Sequence, residues 1–430
     1  MLELDCRLPF IPEFDADFFN SMPSRPGVFL LEMRDAKAKP YLARTADIRR
    51  AAERLLLAPD APSKRLNLRD LVAGIHYRVS GSKFEQMLTM YQQARKYFPD
   101  RYRSLLRLRP SALLKINLGN EYPRGYVTRR IRADGGFYLG PFASRRAAEA
   151  FSESFLDLFK IRRCQIKIRR DPAFPGCIYS EMKMCLAPCF AGCSRQEYDL
   201  EVGRVLETLD SGGSFLIREM QAQREAASQA LHFEKAAALH KRLEKVTGTL
   251  RGWGELTRRI DEIDAVILQR GAEEKTIVVF PARAGILGEP LFLRFAELST
   301  EPKSVEGMLR AVLDPPTSFA HRKASASKEG SSAEINSAVI PQKESASPQS
   351  PKSDVPASNR WRYGLQSAPP ELAEHLALLS RWFYSKPREG EILFREGSWP
   401  YRRILRACNR LLAPTPEPPQ EPQPGRQAAT

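Results

Sequence analysis

The sequence has no apolar run of 18 residues, which excludes a membrane-spanning helix of ordinary length. It opens on MLELDCRLPFIPEFD, without the basic stretch and apolar core of a secretory leader, so a reducing, cytoplasmic setting is expected. Histidine is scarce: His76, His232, His240, His321 and His375 are scattered, and no pair has ligand spacing. Aspartate is scarce beyond residue 260, where only Asp261, Asp264, Asp314 and Asp354 occur. A two-metal centre needs several clustered carboxylates, and those four cannot supply one. Cysteine is sparse too, but its distribution is not even.

Five of the seven cysteines fall within 30 residues, in RRCQIKIRRDPAFPGCIYSEMKMCLAPCFAGC, while Cys6 and Cys408 stand alone. Scattered cysteine behaves as a small buried apolar residue. A C-x12-C-x7-C-x3-C run from Cys164 through Cys177 and Cys185 to Cys189, with Cys193 beyond, needs something to gather the thiolates. Disulfides require an oxidising compartment. A structural zinc usually shows paired C-x2-4-C knuckles, absent here. An iron–sulfur cluster tolerates uneven spacing. Spacing alone leaves zinc and iron both open, and leaves open which four of the five bind.

The formal charge is +16 with a pI near 9.6, which points to a polyanionic partner. Arg95, Lys96, Arg101, Arg103, Arg107, Arg109, Arg124, Arg129 and Arg130, together with Lys115 and Arg132, stand against only Asp100 and Glu121. The first nine are the candidate phosphate contacts, since clustered Lys and Arg release counterions from nucleic acid. A second basic run, Arg162, Arg163, Lys167, Arg169 and Arg170, surrounds the first clustered cysteine.

At 430 residues the chain exceeds a single core, and the pattern predicts an α+β multidomain protein. Residues 1–105 read as a small α/β domain: GVFLLEM and the stretch from Tyr41 as strands, a helix capped by Thr45 or Asp47 through Leu57, and a helix from Phe84 to Phe98 stopped by Pro99. Residues 106–195 combine a basic β region, with an Asp-Gly-Gly turn at 134–136, and the cysteine module. Residues 196–258 read as a helical hairpin broken at Ser211-Gly212-Gly213-Ser214. A small β unit (259–313), a disordered Ser/Pro-rich linker (314–359), a helical subdomain (360–412) and a Pro-rich tail (413–430) follow. In the helical subdomain Trp382, Phe383, Tyr384, Trp399 and Tyr401 interleave with arginines, a pattern that fits base stacking or an aromatic core with a basic rim.

Four blocks resemble the UvrC family, the subunit that incises damaged DNA with UvrB in bacterial nucleotide excision repair. PRGYVTRRIRADGGFYLGPF (123–142) is similar to the family's stretch ending in a YFGPY-type motif, and the C-x7-C-x3-C run resembles its cysteine block. SQALHFEKAAALHKRLEKV (228–246) resembles the UVR motif that pairs with UvrB, with Leu231, Phe233, Ala236, Ala237 and Leu243 as the apolar positions. The N-terminal domain resembles a GIY-YIG nuclease with its chemistry replaced. Gly27-Val28-Phe29 stands for G-I-Y, and Tyr41-Leu42-Ala43 for Y-I-G. Ala51 occupies the catalytic arginine's place, and matching Lys96-Tyr97-Phe98-Pro99 to the family's K-Y-x-P puts Met90 at the metal-binding glutamate's place. RRIDEIDAVILQRGAEEKTIVVFPARAGILGEPLFLRF (258–295) is similar to the β region after the UVR motif, and the likeness then fades.

The resemblance implies a shortened UvrC homologue with a degenerate nuclease domain, lacking recognisable RNase H-like and helix-hairpin-helix domains. It implies a [4Fe–4S] cluster on Cys164, Cys177, Cys185 and Cys189, with zinc as the alternative, and no divalent metal at the degenerate site. UvrB and DNA are the expected partners, with no membrane. Of the nuclease residues Tyr41 is the remnant. An active enzyme would need substitutes such as Arg50, Arg54 or Glu85; a competitor of full-length UvrC is a further reading.

Overall fold

The computed structural model describes residues 2–58, 66–297, 304–314 and 365–413. The expected linker beyond Asp314 and the tail beyond Ala413 lie outside the described residues. Three sheets carry the described chain, and α+β is the architecture.

The first sheet has the order β1-β4-β2-β3, all antiparallel, from β1 (Cys6–Pro9), β2 (Gly27–Met33), β3 (Tyr41–Thr45) and β4 (Val72–Val79). Its helices are α1 (Asp15–Asn20), α2 (Ile48–Leu56), α3 (Lys83–Tyr97) and α4 (Tyr102–Leu105). Alternation along β2 sends Phe29 and Leu31 to one face, against Ile48, Ala51 and Leu55 of α2. Val28 and Leu30 go to the other, against Met90 and Ala94 of α3. The Asp47 side chain accepts the Arg50 N–H at 2.9 Å to start α2, and Ser82 accepts the Glu85 N–H at 3.1 Å to start α3. A Cβ at Gly27 would strike the Arg78 carbonyl and Ile48, so the close pairing of β2 with β4 requires glycine there.

The second sheet has the order β6-β5-β7-β8, from β5 (Ala112–Ile116), β6 (Gly125–Thr128), β7 (Phe137–Phe142) and β8 (Arg258–Arg259). The sequence suggests strands on either side of Asp134-Gly135-Gly136, but they do not form a hairpin. Both pair with β5, which lies between them. The turn is instead held by Leu365, through Gly135 N–H to Leu365 O at 3.1 Å and Leu365 N–H to Gly136 O at 2.9 Å. Against this sheet pack α5 (Arg145–Leu156), α7 (Arg195–Asp210), α8 (Ser214–Gln229) and α9 (Phe233–Arg251), with the short α6 (Ile178–Glu181) in the cysteine loop. The helical stretch therefore holds three helices, not two. Its unexpected break falls at Leu231, which takes a left-handed φ of 59°.

The third sheet corrects the expected division between a β unit and a separate helical subdomain. Strands β9 (Ala265–Arg270), β10 (Thr276–Arg283), β11 (Ile286–Leu287) and β12 (Leu291–Arg294) are completed by β13 (Glu391–Phe394), which pairs with β9. Helix α11 (Leu372–Phe383) covers one face, and α10 (Val305–Leu313) with α12 (Tyr401–Leu412) covers the other. Trp382 and Trp399 are buried, with their indole N–H groups on Glu389 O and Leu313 O, each at 3.0 Å. They are core residues, closed to base stacking. Cys408 is buried as well, and burial pushes its thiol up to about 11.

Helix α3 ties the first sheet to the third. Its inner face carries Met90 and Ala94; its outer face puts the Phe84 ring 5.0 Å from Phe280 and 5.2 Å from Trp382, edge-on and tilted.

Candidate functional site

At the nuclease-like face, Phe29 lies opposite Ala43 across the β2–β3 pair, and its ring centroid is 6.2 Å from that of Tyr41. Phe29, Ala51, Ile75 and Tyr77 share one core, with Tyr41 at its edge. Met90 is on the other side of the sheet, packed with Val28, Leu30 and Leu42. The structure thus brings Phe29, Tyr41 and Ala51 together and leaves Met90 apart. Arg50 and Arg54 sit on the solvent side of α2. Glu85 is buried: one carboxylate oxygen accepts the Gly81 N–H at 2.9 Å, and the other lies 3.5 Å from Arg78 Nε. Burial raises its pKa, against the lowering effect of Gly81 and Arg78.

In the cysteine loop, Cys177 precedes α6 and Cys189 sits in the turn of Pro188–Phe190. Burial pushes the Cys185 thiol up to about 11, and the neighbouring thiols of Cys164, Cys189 and Cys177 push it in the same direction. Cys193 is buried in the core of the second sheet, where Glu197 and Arg170 are its charged surroundings. The Ala187 N–H donates to Cys185 Sγ at 3.3 Å, and Arg162 Nη1 donates to Cys164 Sγ at 3.7 Å. Among the described residues no three His, Cys, Asp or Glu side chains already stand at metal-ligand geometry.

The basic surface divides. Arg95 is 3.0 Å from Glu371, just before α11, and Arg103 donates to Glu374 of α11 at 2.6 Å, so two of the nine candidates are paired with carboxylates. Lys96 and Arg101 lie over Tyr97 and Phe98 at 5.5 and 5.9 Å, and Arg124 over Tyr126 at 4.6 Å. Arg107, Arg109, Arg129 and Arg130 are exposed. Sequence reasoning missed Lys115 as a structural group: it is buried on β5, paired with Asp134, and 4.9 Å from the Tyr138 ring centroid. It also missed a carboxylate cluster. Arg259 holds Asp210 at 2.8 Å, Asp261 at 2.9 Å and Glu262 at 2.5 Å, beside a cleft of about 500 Å³. The guanidinium sits where those carboxylates converge.

The α8–α9 hairpin is packed at its base and bare at its tip. Leu243 and Val246 join the core of the second sheet, whereas Leu231 is 70% exposed and Phe233 66%. Ala237 is exposed and Ala236 half-buried. Two large apolar side chains side by side in solvent are unusual for a packed helical hairpin.

Residues 112–208, from β5 to the last turn of α7, match the family described as UvrC/Cho excinuclease, middle domain. Over much of its length the chain is similar to UvrC proteins. UvrABC system protein C of Ruminiclostridium cellulolyticum is 27% identical over 277 residues, covering 63% of this chain and 45% of that protein. That of Oleidesulfovibrio alaskensis is 30% identical over 276 residues, covering 63% and 39%, and that of Carboxydothermus hydrogenoformans 28% over 288 residues, covering 65% and 46%. The chain spans less than half the length of these UvrC relatives. No solved structure matches it. Among the described residues no helix is long and apolar enough to cross a membrane.

Proposed function

We propose that this protein is a DNA-binding component of nucleotide excision repair that docks a UvrB-type partner and does not itself cut DNA. The chemistry at the nuclease positions carries the reading: Phe29, Ala51 and Met90 offer no hydroxyl, cation or carboxylate, and they are buried on two different faces of one sheet. Phosphodiester cleavage of this kind needs a divalent ion on the phosphate and a positioned cation for the developing charge. Mg²⁺ takes hard oxygen ligands, which methionine lacks. Of the substitutes an active enzyme would need, Glu85 is held in the interior by Gly81 and Arg78, and Arg50 lies on the solvent side of α2. Membership of a UvrABC system in the relatives' name supports the partner, and the bare apolar tip of α8–α9 supplies a surface for it. An apolar anchor such as Phe233 entering a groove is how amphipathic helices are commonly captured.

The test is incision of damaged duplex by the pure protein with Mg²⁺ or Mn²⁺, alone and with UvrA and UvrB. No nick is expected from the protein alone. Metal-dependent incision lost in Tyr41→Phe or Arg50→Ala would replace this reading with an active excinuclease.

Cys164, Cys177, Cys185 and Cys189 are the residues that would hold a [4Fe–4S] cluster, with zinc as the alternative. The four cysteines belong to one loop, the sulfurs of Cys164 and Cys185 already accept hydrogen bonds, and four thiolates from such a loop are the donor set a cluster takes. When bound, the group cross-links the loop through iron–thiolate bonds. Protein purified without oxygen is expected to be brown, absorbing at about 400 nm, the charge-transfer region of thiolate-ligated iron. Cys177→Ser or Cys185→Ser should remove the colour. Colourless protein with stoichiometric zinc would reject iron and keep the four-thiolate site.

A further inference from the structure

Two aliphatic side chains stand in solvent on the cysteine module. Ile178 is 63% exposed and Met182 61%. They are one helical turn apart, with the Met182 N–H donating to Ile178 O at 2.9 Å, so both leave the same side of α6. Their base is braced. The Cys177 N–H donates to Ser180 Oγ at 2.9 Å, that hydroxyl donates back to Cys177 O at 2.6 Å, and the Arg163 guanidinium lies 5.9 Å from the Tyr179 ring centroid.

What surrounds the pair decides what it meets. From Lys160 to Lys183 the chain has seven Lys or Arg against Asp171 and Glu181. Arg162 is buried, Arg163 pairs with Asp157 and Arg170 donates to Cys193 O, while Lys160, Lys167, Arg169 and Lys183 are exposed on the module. The core of a protein-binding patch is depleted of charge, of lysine in particular. A short apolar tip framed by cations is instead how DNA-bending proteins enter a base step, the cations resting on phosphates while the tip separates the bases.

The geometry points to Ile178 and Met182 as a wedge that contacts bases at an unstacked or unpaired step of DNA, with Lys183 beside it on the backbone. The inference rests on the DNA-binding reading above and adds the place where bases are touched. Unstacking an intact step costs free energy that an already opened step does not. A wedge therefore favours DNA whose bases are already apart, whereas a phosphate-tracking surface does not discriminate in this way.

The experiment compares binding of the full chain, at one fixed salt concentration, to a duplex and to the same duplex with a central unpaired bubble carrying 2-aminopurine. The expected preference for the bubble is about tenfold, with a change in 2-aminopurine fluorescence on binding. Ile178→Ser with Met182→Ser should abolish the preference and the fluorescence change while leaving duplex affinity within about twofold. Ile178→Phe, which keeps an apolar tip, should retain both. Thermal unfolding and absorbance report whether the double variant folds; if it does not, Met182→Ala and Ile178→Phe decide, the first weakening the preference and the second keeping it. A preference unchanged by removal of the tips overturns the wedge. So does an equal loss on both DNAs, or loss of UvrB capture with the bubble preference intact. Failure of the wild type to bind even the duplex would overturn the DNA-binding reading itself.

Discussion

Phe29 and Phe233 are the same side chain in opposite circumstances: 1% exposed at the centre of the first sheet, and 66% exposed at the tip of α8–α9. Where a nuclease would need polar groups turned to solvent, this chain has filled the space with apolar ones. Where an isolated helical hairpin would hide its phenylalanine, this one presents it. The first arrangement stabilises the fold and gives up chemistry. The second adds little to the fold and leaves an apolar surface open to another molecule. Under the proposed function, burial of the same residue type separates a converted site from a docking site.

Restoring charge to the first region is the strongest way to break the contrast. Ala51→Arg combined with Met90→Glu places two ionic groups in two separate cores on opposite sides of the sheet, too far apart to neutralise each other. The expected result is loss of the folded state, on the order of 5 kcal/mol or more, read by urea denaturation. A stable variant that cuts DNA would show that the two positions can converge. The next effect separates the phenylalanines. Phe29→Ala should cost about 3–5 kcal/mol of stability, and Phe233→Ala within about 0.5 kcal/mol, as for surface positions. In UvrB co-purification the order reverses, with Phe233→Ala losing about 2–4 kcal/mol of binding, some thirty- to a thousandfold. Unchanged capture by Phe233→Ala would make the tip an inert surface.

The smallest effect concerns the junction that closes the outer side of α3. Burial works to raise the Glu374 pKa, but hydrogen bonds from Tyr102, Tyr91 and Arg103 outweigh it and hold the carboxyl below its ordinary value. Stability from this group is therefore complete above the unfolded value of about 4.3 and is lost as pH falls through the lower folded value. Thermal melts from pH 7 to pH 3 should show the wild type losing its advantage over Glu374→Gln across that acidic window. A gap that persists at pH 3 would assign Glu374 a packing role alone.

Helices α2 and α3 are legible in the sequence because their signals are local: an apolar period, an Asp or Ser at the start, and Pro99 beyond the end of α3. Strand β13 is not, because EILF names no partner, and its pairing with β9 reaches across the third sheet. The same distance hides the fate of the basic surface. Arg95 and Arg103 read as phosphate contacts until carboxylates 276 and 271 residues along the chain are brought to them. The alternation of Trp and Arg in 381–403 looks like a stacking surface in one dimension, while helical wrapping turns Trp382 inward and leaves Arg381 outside. At the nuclease-like site the residue identities were open to view. That Met90 lies on the far face was not, because it depends on which side of the sheet α3 crosses.

The return of β13 and α11 to the third sheet makes that domain a structure in two pieces. Strands β9 to β12 come from one stretch of chain, and the fifth strand with helices α11 and α12 from another beginning at Leu365. Cutting the backbone between Asp314 and Leu365 would sever no strand pair and no helix among the described residues. The two products would still share a hydrogen-bonded β9–β13 edge, the Glu374 junction and the Phe84–Trp382 contact. They would behave as a heterodimer held by what was an interior, with a dissociation constant where the intact chain has only a folding equilibrium.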